Sequence, residues 1–356
     1  MANCDDLTDK MTELVVEEKN WNDLPFEMKE MVVREMDLET RARLKLCSKA
    51  DKYLVESVRM SFQVLNVYAR GDDENEEMIL DGLLYRDESE NCELHWQVAA
   101  KGSIASITKL DEPKQIQCPS YEDAKNMVKK MFFDIFFDGN LRFEEVEAEI
   151  AHPNFMDNSE FTVRANEVTI TSSTSQIIQW LNNVAPGVKA VTIRQVLTDQ
   201  YLSTSFDVME ASMGNIIQNI GNVPAVMNAD VFKIYFTNDI NDDQLATFKC
   251  TKLDISAKSN ITAKGINQLI KKIIANDYPR ESYAEIPVAP CLCVSRRKWN
   301  EIIDGLDIEM TECQDDVDQY DHMIYIGQIK MQDGKVLEIS LIGGKYQYKD
   351  FKAEVL

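Results

Sequence analysis

The sequence predicts an α+β chain that passes into α/β. A three-helix unit stands at the N terminus, an irregular leucine-rich-repeat-like α/β solenoid follows, and β-hairpins close the C terminus. Three observations predict this. Between Trp21 and about Ser57, apolar residues recur at helical spacing. Further on, strand cores of the form apolar-x-apolar recur with amphipathic helices between them. Near the end, two apolar runs flank Asp333-Gly334, a hairpin signal.

In the first unit, Pro25 suits a first helical turn, where its missing N–H costs nothing, and Glu27 sits near the positive helix end. Met28, Met31, Val32 and Met36 follow at i, i+3, i+4 and i+8, one face of a helix. Asp37 is placed to cap a second helix with Leu38, Ala42 and Leu46 on one side. Ser48 and Asp51 have capping-box spacing ahead of a third helix carrying Ala50, Tyr53 and Leu54. From Ser61 to Lys109 the pattern changes to alternation: Phe62, Val64, Asn66 and Tyr68, then strands over Ile79–Tyr85 and Leu94–Ala99. The acidic runs between them, Asp72–Glu77 and Asp87–Glu90, read as solvated turns, since they lack the glycine and terminal glutamate of a calcium loop. A helix over Tyr121–Phe137 places Ala124, Met127, Val128, Met131, Phe132 and Ile135 on one face.

The strand cores Val168-Thr169-Ile170, Val191-Thr192-Ile193, Ile234-Tyr235-Phe236 and Leu253-Asp254-Ile255 start 23, 43 and 19 residues apart, the middle step being about two periods. Leucine-rich-type solenoids repeat every roughly 20–29 residues. The helices between carry Ile177, Ile178, Leu181 and Val184; then Met209, Met213, Ile216, Ile217 and Ile220; then, capped by Thr262, Ile266, Leu269, Ile270 and Ile273. Short links and strand–helix alternation favour a parallel sheet. Met323–Met331, Val336–Leu341 and a run over Lys345–Phe351 make the final hairpins, placed to cap the solenoid. The expected division is a flexible acidic leader over 1–19, a helical unit over 20–58, a β-rich connection over 59–118, the repeat domain over 119–285 and a hairpin cap over 286–356.

Charge narrows the function. Lys and Arg number 38 against 61 Asp and Glu, a net charge of −23, with a pI of about 4.6. Such a surface repels phosphate backbones and acidic lipids, so neither nucleic acid nor a membrane is an expected partner. No basic segment followed by an apolar run opens the chain, and no stretch reaches the ~20 apolar residues of a spanning helix. A cytoplasmic or nuclear location is expected, with the eight cysteines reduced. Cys291 and Cys293 form a C-x-C with no second Cys/His pair, which argues for strand thiols and against a zinc site.

Residues 21–57 carry the most specific signal. Leu24-Pro25-Phe26-Glu27-Met28 resembles the L-P-x-E-Φ opening (Φ apolar) of an F-box, and Leu44-x-Leu46-Cys47-Ser48-Lys49 its later segment. Trp21 ahead of Leu-Pro, and Met36-Asp37-Leu38-x-Thr40-Arg41 in the middle, resemble the large nematode F-box family. Those proteins commonly pair the box with an F-box-associated domain of irregular α/β repeats, which the stretch Thr262–Ile274 resembles in pattern. The resemblance implies docking on the Skp adaptor, and through it on cullin and RING subunits, while the downstream domain holds a protein substrate for ubiquitination and proteasomal degradation. Its adaptor contacts fall on Leu24, Pro25, Met28, Met31, Val32, Met36, Leu38, Leu44, Leu46 and Cys47. It names no substrate and no substrate-binding residues. Two departures stand out: Phe26, where many boxes carry proline or a polar residue, and the absence of an Arg-Trp pair after position 50, for which Tyr53 can substitute. A helical unit of about 40 residues is too small to be stable alone, so it needs a partner or the rest of the chain. The rival reading is a repeat-type binding protein that sequesters its partner without ubiquitination.

Nothing points to catalysis by the chain itself. His95, His152 and His322 lie far apart without an i, i+4 partner and read as surface or strand residues. G-x-S-x-G, P-loop and G-x-G-x-x-G motifs are all missing, and Cys47 reads as core. No cofactor or metal is expected. Lys271-Lys272 and Arg296-Arg297-Lys298 beside Trp299, like the acidic loop Glu312–Asp321, read first as solvated faces and second as docking patches.

Overall fold

The computed structural model describes residues 20–36, 38–86, 94–109, 112–137, 141–152, 155, 161–172, 176–194, 216–235, 237–255, 259–288, 300–315, 322–343 and 349–356. The expected leader, the cap at Asp37, the acidic run after position 86, Met209 and Met213, Phe236, the C-x-C pair and the basic cluster beside Trp299 lie outside them. The chain divides into two compact units, Met1–Met60 and Ser61–Leu356.

The first unit is helical. A 3-10 turn over Trp21–Asp23 leads into α1 (Phe26–Glu35), α2 (Leu38–Lys45) and α3 (Lys49–Ser57). Ser48 caps α3: its hydroxyl accepts from Asp51 N–H at 3.0 Å. The small core is Val33, Leu54, Val55 and Val58, with Trp21, Met36 and Leu44 leaning on it. Arg41 is buried and donates through Nη1 to the Val58 carbonyl at 2.8 Å. The inner side of α3 is therefore Leu54 and Val55, while Ala50 and Tyr53 face solvent, which corrects the expected face. Leu46 lies beyond the end of α2 and is exposed.

The second unit is one open mixed sheet of 15 strands with α/β character. β1 (Met60–Asp72), β2 (Glu77–Tyr85), β3 (Leu94–Lys101), β4 (Ile104–Lys109) and β5 (Glu112–Gln117) pair as an antiparallel meander. Alternation in the sequence does not reveal the last two strands; Pro113 sits on the edge strand, where a missing N–H breaks no ladder. In β1 the buried set begins at Met60 and Phe62 and then shifts by one to Leu65, Val67 and Ala69, so Val64, Asn66 and Tyr68 face outward. α4 (Tyr121–Phe136) packs on β2, β3 and β4 through Ala124, Val128, Phe132 and Phe136. Gly82 is required there, because a Cβ would come within 2.2 Å of the Phe136 ring.

β6 (Leu141–Ile150), β7 (Ala165–Ser172), β8 (Ala190–Arg194), β9 (Val231–Ile234), β10 (Lys252–Ile255) and β11 (Tyr283–Val288) run parallel and sit in chain order. Among the described residues, four helices lie between them: α5 (Ile177–Asn182), α6 (Pro224–Asn228), α7 (Asp242–Thr247) and α8 (Ala263–Ala275). Asn241 and Gln244 form a full capping box on α7, and Thr262 caps α8. Two buried rows cross the strands. One is Val146, Val168, Val191, Phe232, Leu253 and Ala284; the other is Ala148, Ile170, Ile193, Ile234 and Ile255. The third strand core is thus Phe232-Lys233-Ile234, two residues earlier than the spacing indicated. Ile216 and Ile217 are not helical, and Ile217 bridges to Asn238; a 3-10 turn follows at Ile220–Asn222. β-branched side chains favour this extended backbone.

At the end of the chain, β15 (Lys349–Val355) pairs antiparallel with β11, and β14 (Val336–Gly343), β13 (His322–Lys330) and β12 (Glu309–Asp315) extend the sheet. The expected hairpin exists, closed by a 3-10 turn over Gln332–Gly334 with Gly334 at φ +74°. The first part of the expected acidic loop is strand β12. No described helix is long and apolar enough to cross a membrane.

Two polar residues depart from their expected settings. His152 is fully buried, and its Nε2 lies 3.5 Å from Asp73 of the β1–β2 turn. Tyr121 also donates to Asp73, at 2.9 Å, and Lys125 lies 3.4 Å from it. That turn is therefore an anchor for α4 as well as a solvated loop. Lys272 does not serve a docking patch: its ammonium donates to the Ala246 carbonyl at 2.9 Å and to the Phe248 carbonyl, closing the end of α7.

Candidate functional site: an uncovered apolar face on the N-terminal helices

α1 separates its apolar residues. Val33 alone is sealed inside, at 0% exposure, while Met28 is 51% and Met31 67% exposed, with Phe26 and Val32 open beside them. The i, i+3, i+4 spacing is genuine, but the stripe it makes points away from the unit's own core. Leu46, at 87% exposure, continues the open surface after α2, and Tyr53 is exposed on α3. Burying such side chains yields about 1.5–3 kcal/mol each, so an uncovered row of them favours a covering partner. Methionines suit this role because the unbranched thioether adapts to a partner's contour.

The predicted contact residues divide by position. Pro25, Met28, Met31, Val32, Leu46 and Cys47 are exposed. Leu24 is half-buried; Met36 and Leu44 are half-buried against the internal core, so they brace the face from below. Leu38 opens α2, and its side chain lies outside the described residues. Cys47 corrects the sequence reading: it is exposed, with its thiol against the Arg43 carbonyl at 3.5 Å. Phe26, a departure from the motif, and Tyr53, which the sequence groups with Ala50 and Leu54, both present large apolar surface.

A polar clamp holds the unit's entry. Trp21 Nε1 donates to Asp51 Oδ1 at 2.8 Å, and the Ser48 hydroxyl donates to Asp51 Oδ2 at 2.6 Å. These two hydrogen bonds, Ser48 foremost, hold the Asp51 carboxyl below the usual carboxylate range. Lys29 lies 5.6 Å over the Trp21 ring. The clamp joins the 3-10 turn to α3 and so fixes how α1 leaves Pro25. Among the described residues, no group of His, Cys, Asp and Glu could hold a metal ion.

Residues 21–62 match the F-box domain model. No curated protein matches the chain, and no solved structure matches it. The chain thus carries an N-terminal F-box ahead of a large mixed α/β sheet domain. The domain supports binding to a Skp adaptor and, through it, a role in a Skp–cullin–F-box type ubiquitin ligase.

Proposed function

We propose, from the F-box at residues 21–62, that the protein is the substrate-recognition subunit of a Skp–cullin–F-box ubiquitin ligase acting in the cytoplasm or nucleus. The observation that carries the reading is the open row Pro25, Met28, Met31, Val32, Leu46 and Cys47, with Leu24 at its margin. The adaptor covers this row and also contacts Leu38, as the resemblance implies, and Met36 and Leu44 support it from behind. The chain does no chemistry of its own. Ubiquitin is transferred by the recruited conjugating enzyme, and this subunit contributes proximity by holding a protein substrate, which is then degraded by the proteasome.

The sheet domain is the grip in this reading. It is an irregular leucine-rich-repeat-like domain of the F-box-associated kind seen in nematode proteins. Six parallel strands in chain order and stacked apolar rows support that assignment.

Co-purification of the full chain with the Skp adaptor tests the proposal. The double substitution Pro25→Ala with Met28→Asp places a charge at the centre of the open row. It is expected to abolish the complex while leaving the thermal unfolding of the sheet domain unchanged. Undiminished binding by the double variant would refute the assigned interface.

A further inference from the structure

Parallel sheets ordinarily carry helices on both faces. Here the buried rows account for one face, and on the other every described outward residue of β6 from Glu145 onward, and of β7 to β11, keeps some solvent exposure. That open face is not uniform. On β6, Glu145, Glu147 and Glu149 alternate outward with buried Val146, Ala148 and Ile150. The register sets Glu145 directly opposite Glu167 of β7. Like charges directly opposite are destabilising. The same rows show the ordinary choice: Glu147 is followed by Thr169 and Thr192, and Glu149 by Thr171. Further across, Asp254 also faces Glu285, but there Lys233 stands opposite Asp254 and Lys352 of β15 opposite Glu285, so lysines match the carboxylates and the excess of negative charge lies over β6 and β7. Burial, then Glu147 and Glu167, push the Glu145 carboxyl above its usual range, against the pull of Arg194.

A second feature lies at the same place. Phe62 stacks on Phe143, and the Ala69 carbonyl accepts from Ala151 and His152 N–H, so β1 runs beside β6 in the same direction. Asn66 then stands about level with Glu147, on the same outward side as Tyr68. The Asn66 side-chain oxygen is shut off from solvent and accepts no hydrogen bond among the described residues. An orphaned acceptor of this kind costs free energy unless a donor arrives. A carboxylate row beside an acceptor lacking a donor is matched by lysine and arginine, which carry only donors and positive charge. Tyr68 adds a ring face beside Glu147 and Glu149.

We propose that this end of the open sheet face, over β1, β6 and β7, receives a Lys/Arg-rich extended segment of the protein substrate. The proposal rests on the substrate-receptor reading and names the substrate's chemistry. Charge complementarity of this kind steers encounter and selects partners.

The test uses the full chain and the labelled peptide Gly-Lys-Gly-Arg-Gly-Lys-Gly-Arg, with its all-glutamate counterpart as control, read by fluorescence anisotropy. Because the whole chain is acidic, two charge-matched variants are compared. Glu145→Gln, Glu147→Gln, Glu149→Gln and Glu167→Gln together should weaken binding at least tenfold. Asp243→Asn, Glu281→Gln, Asp304→Asn and Asp307→Asn, all exposed elsewhere, should change it less than twofold. Asn66→Ala alone should weaken it about threefold. The face variant should melt no earlier than wild type, since it relieves repulsion; if it fails to fold, Glu167→Gln alone should still weaken binding about threefold. Equal loss in both fourfold variants, or loss in neither, overturns the proposal. Adaptor co-purification is measured on the same samples and should be unaffected by the face variant. Failure of the wild-type chain to bind adaptor would refute the receptor reading and leave the peptide result to stand separately.

Discussion

α1 and α8 are amphipathic helices of similar length with apolar residues at the same spacing, yet they use it in opposite ways. α8 buries Ile266, Leu269, Ile270 and Ile273 together with Ala263, Gly265 and Asn267. α1 buries Val33 alone and leaves its methionines in solvent. The comparison teaches that periodicity identifies an apolar stripe but not its partner. In α8 the partner is the chain's own sheet domain; in α1 the stripe is open.

The contrast can be broken first by truncation. Trp180 of α5 is fully buried, so Trp180→Ala should cost about 3–5 kcal/mol and Ile270→Ala about 2–5 kcal/mol, both read by chemical denaturation. Met31→Ala should change stability by less than about 0.5 kcal/mol while weakening adaptor binding. A large stability loss from Met31→Ala would mean that the α1 stripe is core after all. The next largest effect is at Gly82, where Gly82→Ala drives a Cβ into the Phe136 ring and should cost about 1–3 kcal/mol. Cap removal is smaller: Thr262→Ala and Ser48→Ala should each cost about 1 kcal/mol, one in each unit.

pH sharpens the comparison with a group that only the sheet domain has. Burial lowers the His152 pKa from its ordinary value of 6.5, with Asp73 pulling the other way. A histidine depressed in the folded state binds its proton more readily when unfolded. Its contribution to stability is therefore full above the unfolded pKa and is lost as pH falls below it towards the folded value. Denaturation midpoints of the sheet domain should drop between pH 7.5 and pH 5.5. His152→Gln should flatten that slope, and an unchanged slope would remove His152 as its source.

Much of this architecture is legible in the residues, and the misses have definite causes. Ser48, Thr262 and the stripe of α1 are local signals, readable within one or two turns, and each appears where the sequence places it. The register of β9 was misplaced because Phe232-Lys233-Ile234 and Ile234-Tyr235-Phe236 both satisfy an apolar-x-apolar pattern; only pairing with Val191 and Ile193 separates them. β1 shifts its buried phase midway, which strict alternation cannot follow. His152 reads as a surface residue from the sequence because its partner Asp73 is distant in the chain. For the candidate site, the identities of Pro25, Met28 and Met31 were plain, whereas their exposure was not, since the same letters would serve a buried helix.

Hydrogen exchange on the full-length chain, alone and with purified Skp adaptor, tests the central claim most directly. Amides of Phe26–Glu35 and of the Leu44–Cys47 turn should gain strong protection when adaptor is added, while Ala263–Ala275, already sealed, should not change. Unaltered exchange over Phe26–Glu35 at saturating adaptor would contradict the account.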